Sequence, residues 1–119
     1  MLDDEAQFQA RLMTAFIDEA DGHLETLKTL AEALARAPTP AADTLTTMVR
    51  AAHSLRGAAR AVALRPIEQI ALGLETDLRA LASGERAVVP AELARLRSQL
   101  ERLAREQARL ATAKDAHHG

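Results

Sequence analysis

All four prolines of this chain, Pro38, Pro40, Pro66 and Pro90, fall between runs of regularly spaced apolar residues, and none falls inside one. A proline within a helix removes a hydrogen bond and clashes with the preceding turn, so prolines placed this way mark helix ends and starts. Inside the runs the apolar steps are threes and fours. The first run carries Phe8, Leu12, Phe16, Ala20, Leu24, Leu27, Ala31 and Leu34. The second carries Leu45, Met48, Val49, Ala52, Leu55, Ala59 and Val62, and the third Ile67, Ile70, Ala71, Leu74, Leu78 and Leu81. The fourth reads Leu93, Leu96, Leu100, Leu103, Gln107 and Leu110, a seam of alternating three and four. Each is the stripe of an amphipathic helix, and the spacing predicts inward-facing residues at all these positions.

The predicted helices span about 3–36, 40–62, 66–83 and 90–113. Thr39 suits an N-cap, with Pro40 at the first helical position. Pro66 biases Arg65 away from helical backbone, which ends the second helix near 61–64. Gly84, in "SGERAVVP", is the stop of the third. Residues 115–119 read as a frayed tail. No strand pattern or internal repeat is present. Four amphipathic helices joined by short loops bury their stripes only against one another, so the expected fold is all-α, an antiparallel four-helix bundle over residues 1–114.

At 119 residues the chain is one domain's worth, with a core built almost without aromatics, since only Phe8 and Phe16 are present. The absence of cysteine excludes disulfides, thiol catalysis and cysteine-ligated metal. The start "MLDDEAQFQ" is acidic and unlike a signal peptide, and no apolar run reaches membrane-spanning length. A cytoplasmic location without membrane attachment is therefore expected. A net charge of −2 gives no general pull towards nucleic acid, and two phenylalanines make no base-stacking platform.

Charge is locally uneven. Residues 50–65 hold Arg50, Arg56, Arg60 and Arg65 and no acid, which suits an anionic ligand or partner on one face, or a solvated helix surface. Within "RAAHSLRGAAR" (50–60) lies His53, with Gly57 one turn on. A glycine in a helix interior costs about 1 kcal/mol relative to alanine, so it needs another reason to be there. Helical geometry puts His53 roughly 120° from the centre of its apolar stripe, at the edge. There one ring nitrogen turns to neighbouring helices and the other to water, and Gly57 keeps bulk away from the ring. If the turn between the second and third helices centres on Leu64, Glu75 stands at the mirrored height, also at a stripe edge. The spacing thus predicts a Glu75–His53 pair at the bundle surface.

Such a pair has definite chemistry. A carboxylate accepting Nδ1–H fixes the tautomer, leaves the Nε2 lone pair outward as a nucleophile, and offsets the charge the ring gains on attack. Nearby arginines suit phosphoryl oxygens. No nucleotide-binding loop and no carboxylate cluster for magnesium is present, so other domains would have to supply the phosphoryl group. No cofactor is expected.

These residues resemble the histidine-containing phosphotransfer (HPt) domains of bacterial two-component signalling, most closely those at the N-terminus of chemotaxis-type histidine kinases. The likeness rests on "MVRAAHSLRG" (48–57), "FIDEADGHLETL" (16–27) and "GLETDLRALASGE" (73–85), and it covers nearly the whole chain. It implies that His53 is the phosphorylated residue and that Glu75 hydrogen-bonds it. It places Arg56 where a lysine is usual, on phosphate or partner, and Gly57 at the family glycine. The implied partners are a histidine kinase catalytic domain and a response-regulator receiver domain. The chain would be a monomeric phosphoryl carrier and not itself an enzyme.

Three departures stand out. The family's closing glycine is Ala63 here, leaving the turn to Leu64 and Arg65. Arg60 occupies a position where a small residue is preferred. Leu72 stands where the chemotaxis kinases carry a second histidine. Arg50, Arg60 and Leu72 are candidate docking residues.

Two rival readings remain. In one, the 93–110 seam mediates dimerisation and His53 is inert. In the other, the bundle holds a metal; this is disfavoured because no histidine has a glutamate three residues before it. His23 reads as a surface residue, and the adjacent His117 and His118 are a weak metal signal.

Overall fold

The computed structural model describes residues 2–37 and 42–118, with side chains described for 3–37 and 42–113. It consists of four α-helices: α1 (Leu2–Arg36), α2 (Ala42–Ala61), α3 (Arg65–Ala82) and α4 (Pro90–His118). Helix α1 packs on α2 and α4, and α3 packs on the same two, so the helices stand around a square. This is an antiparallel four-helix bundle.

The core follows the spacing of threes and fours. Leu24, Leu27 and Leu34 of α1, Met48 and Leu55 of α2, Leu74 and Leu78 of α3, and Leu96 and Leu103 of α4 are almost fully buried. Every apolar position expected on α3 is buried. Two expectations on α1 fail. Phe8 is 54% exposed and Leu12 is 37% exposed. Two physical reasons combine. Each step of four residues turns the stripe by about 40°, so two such steps carry Phe8 off the inward face that Phe16 begins. The helices are also unequal: α1 has 35 residues and α2 only 20. At about 1.5 Å per residue, the first turns of α1 run past the end of the α2–α3 hairpin.

The α2–α3 turn also differs from expectation. Ala63 itself takes a left-handed conformation, φ 59°. The Leu64 amide donates to Ala59 O at 2.9 Å and the Ala63 amide to Arg60 O at 3.1 Å, the pair of bonds of a Schellman cap. A residue with a Cβ thus does what glycine usually does there, and Arg65 is free to open α3 one residue before Pro66. Gly84 ends α3 as expected, at φ 81°. Helix α4 continues to His118, beyond the expected end near 113. Residues 115–118, expected as a frayed tail, thus continue α4 as helix. The side chains of 114–118 (His117 and His118 among them), Gly119, and the cap at Thr39 and Pro40 lie outside the described residues.

Candidate functional site

His53 lies on the outer face of α2, its side chain 57% exposed, opposite Glu75 on α3. The Schellman turn at Ala63 sets the register between the two helices, and it brings the two side chains level. His53 Nδ1 lies 3.0 Å from Glu75 Oε2. The carboxylate accepts, so Nδ1 carries the proton in this contact, and in the neutral ring the lone pair is then on Nε2.

Glu75 does more than face His53. It is 5% exposed, a buried acid at a bundle surface. Arg56 Nε donates to Oε1 at 2.8 Å. Arg79 donates to Oε2 twice, from Nε at 3.0 Å and from Nη2 at 2.7 Å. Burial alone would push this carboxyl up. The hydrogen bonds from Arg56, Arg79 and His53, together with the Arg56 charge, outweigh burial and hold it down at about 2. Glu75 is therefore a carboxylate across the whole range in which proteins work.

Arg56 also brings Nη2 within 3.2 Å of His53 Nδ1. This side chain, placed by resemblance on phosphate or partner, is turned inward to the glutamate with 24% of its side chain exposed. Gly57 leaves open space: a Cβ built there meets nothing within 4 Å. The glycine is therefore not demanded by packing within the chain, and the room it leaves faces outward. Arg50 and Arg60 are exposed on the same helix, and Leu72, three residues before Glu75, is 42% exposed. His23 pairs with Glu19 one turn away on α1, at 3.3 Å.

The sequence reading passed over Arg79, although its signal was present: it stands four residues after Glu75, where an acid–base pair meets on a helix. A second buried acid was also passed over. Asp77, two residues past Glu75, faces the other neighbour of α3. It accepts from Arg86 Nη2 at 2.6 Å and Gln99 Nε2 at 2.9 Å, with Arg95 Nε at 3.3 Å. Burial raises this carboxyl, and the bonds from Arg86 and Gln99 with the Arg95 charge bring it below its ordinary value. Glu75 ties α3 to α2, and Asp77 ties α3 to α4 and to the loop before it.

Among the described residues no group of three or more histidines and carboxylates is arranged to hold a metal ion. No described helix is long and apolar enough to cross a membrane.

The sequence model of the Hpt domain matches residues 11–106, which takes in part or all of every helix. Comparison with curated proteins and with solved structures yields no match. Domains of the matched type are carriers of phosphoryl groups rather than catalytic enzymes, and they work between kinases and response regulators. An outward imidazole backed by a buried carboxylate on the neighbouring helix suits that work, and with the match across all four helices the chain belongs to the Hpt domain family.

Proposed function

We propose that Nε2 of His53 is the phosphoryl acceptor of this domain. The observation that carries the reading is the 3.0 Å contact between Nδ1 and Glu75 Oε2 on a ring whose other side faces water. The Nε2 lone pair attacks the phosphorus of a phosphohistidine in a kinase domain, or of an aspartyl phosphate in a receiver. A new N–P bond forms, and the old N–P or O–P bond breaks with its electrons going to the leaving imidazole or carboxylate. The Nδ1 proton stays where it is, and the positive charge gained by the ring is offset by Glu75. In the onward step a receiver aspartate attacks the same phosphorus and the imidazole leaves with its lone pair restored.

The nucleotide site and the acidic pocket belong to the partners. Arg50 and Arg60 offer an exposed positive face to such a pocket, and Leu72 offers an apolar contact beside the histidine. Gly57 gives clearance for the partner's approach. One copy suffices, because nucleophile and carboxylate come from the same chain; a cytoplasmic monomer is the form in which we place it. The three quoted segments support a position within the chemotaxis-kinase branch, with Leu72 replacing the auxiliary proton carrier of that branch. The rival reading, dimerisation through the 93–110 seam, is opposed by Leu96, Leu100 and Leu103, which are buried in this chain's own core.

The test is phosphotransfer from a cognate kinase. Wild-type chain becomes labelled and His53→Gln does not. Label that survives His53→Gln removes the assignment.

A further inference from the structure

This inference rests on the phosphoryl-acceptor reading and concerns what selects the reactive nitrogen. His53 Nδ1 stands between two groups with opposite demands. Glu75 Oε2, at 3.0 Å, only accepts, so it favours the tautomer with the proton on Nδ1. Arg56 Nη2, at 3.2 Å, only donates, so it favours the tautomer with the lone pair on Nδ1 and the proton on Nε2. In that second form Nε2 has no lone pair with which to attack phosphorus. Which nitrogen reacts depends on which neighbour holds its place.

Arg79 bears on one side of this competition alone. Its Nη2 at 2.7 Å and Nε at 3.0 Å both donate to Oε2, the oxygen that faces Nδ1. Arg56 Nε holds the other oxygen, Oε1, at 2.8 Å. With one guanidinium on each oxygen, the carboxylate has no freedom to swing Oε2 away from the ring. Arg79 lies one turn after Glu75 on the same helix, so its half of the clamp is built into α3, while Arg56 supplies the other half from α2.

We infer that Arg79 is a positioning residue for the acceptor: by fixing Oε2 of Glu75 it keeps the proton on Nδ1 of His53 and the lone pair on Nε2. It touches no reacting atom and acts only through the carboxylate. The direction of its effect is diagnostic. If Arg79 merely drew charge from Glu75, removing it would strengthen the bond from Nδ1–H. If it positions the oxygen, removing it yields Nδ1 to Arg56.

Ring ¹⁵N spectra of the full chain, recorded over an alkaline pH series until they no longer change, read the tautomer of the neutral ring directly. Wild type is expected with the proton on Nδ1. Arg79→Gln shifts the ring towards the Nε2–H form. The same variant slows phosphorylation of His53 by phosphoramidate, in which the donor's P–N bond breaks and ammonia leaves, by about threefold to tenfold, the worth of one hydrogen bond. Arg79→Lys recovers part of both effects. Adding Arg56→Gln to Arg79→Gln removes the competitor and returns the proton to Nδ1. A ring unmoved in Arg79→Gln, or a double variant that stays in the Nε2–H form, overturns the inference. If the ring responds to Arg79 but wild type never accepts a phosphoryl group, the acceptor reading fails and the tautomer assignment stands.

Discussion

Glu75 is buried and yet held ionised, and its stability balance can be read against pH. Its folded value of about 2 lies below the ordinary 4.5, so the unfolded chain takes up the proton first. The stabilisation is complete above about pH 4.5 and is lost as pH falls through about 2. The shift corresponds to about 3 kcal/mol, the difference in proton affinity between the two states. Urea unfolding should therefore show wild type ahead of Glu75→Gln at pH 7, with the gap narrowing towards pH 2; parallel curves would refute it. Ala63 makes a different point at the same scale. Its left-handed backbone strains a residue with a Cβ by about 1–2 kcal/mol, partly offset by the extra freedom glycine gives the unfolded chain. Ala63→Gly should raise the unfolding free energy by about 0.5–1 kcal/mol in a denaturant titration. A loss of stability would show that the Schellman turn is not as described.

Among the elements, α3 is the one tied most heavily by charge. Glu75 and Asp77 are two positions apart, about 200° around the helix, so they reach α2 and α4 respectively. Asp77 also holds the loop before α4 through Arg86, which in turn lies 3.4 Å from Glu92. Asp77→Ala leaves Arg86 and Gln99 without this acceptor, and a cost of about 2 kcal/mol is expected, reduced by the partial exposure of the arginines. Hydrogen exchange should quicken in residues 83–89 before it does in α2. Exchange that rises equally in both would show that the network supports the whole bundle and not this loop. Helix α1 teaches the opposite lesson. Its apolar periodicity continues to Phe8, but a stripe is buried only where another helix lies alongside, and α2 is too short to reach that far.

At the scale of the molecule, the bundle is a rod of 55 × 23 × 19 Å with the site on its flank rather than in a cleft. A site so open leaves recognition to the surface around it. Among the described residues Arg50 and Arg60 make no ion pair within the chain, so both are free to meet an acidic partner. Reversing both, Arg50→Glu with Arg60→Glu, should slow association with an acidic receiver by about tenfold or more at low salt and flatten its salt dependence. Unchanged transfer kinetics over a salt series would exclude them from docking. Thermal stability should change little, because both side chains are exposed.

Helix number, the limits of α3 and the described ends of α1 and α2, most of the core and the His53–Glu75 pairing are legible in the residues themselves, whereas α4 runs on past its expected end. The reason is that helical periodicity and proline placement are local, and a short hairpin between two helices makes sequence distance from the turn a measure of height. Tertiary structure alone decided what surrounds the pair. Whether Arg56 turns outward to a partner or inward to Glu75, whether Arg79 shares the load, and that Asp77 is buried with its own cations depend on the angular register of packed helices, which no spacing along one strand of text encodes. The same holds for Phe8 and Leu12: a sequence declares which faces are apolar, and only the lengths and positions of the neighbouring helices determine which of those faces are covered.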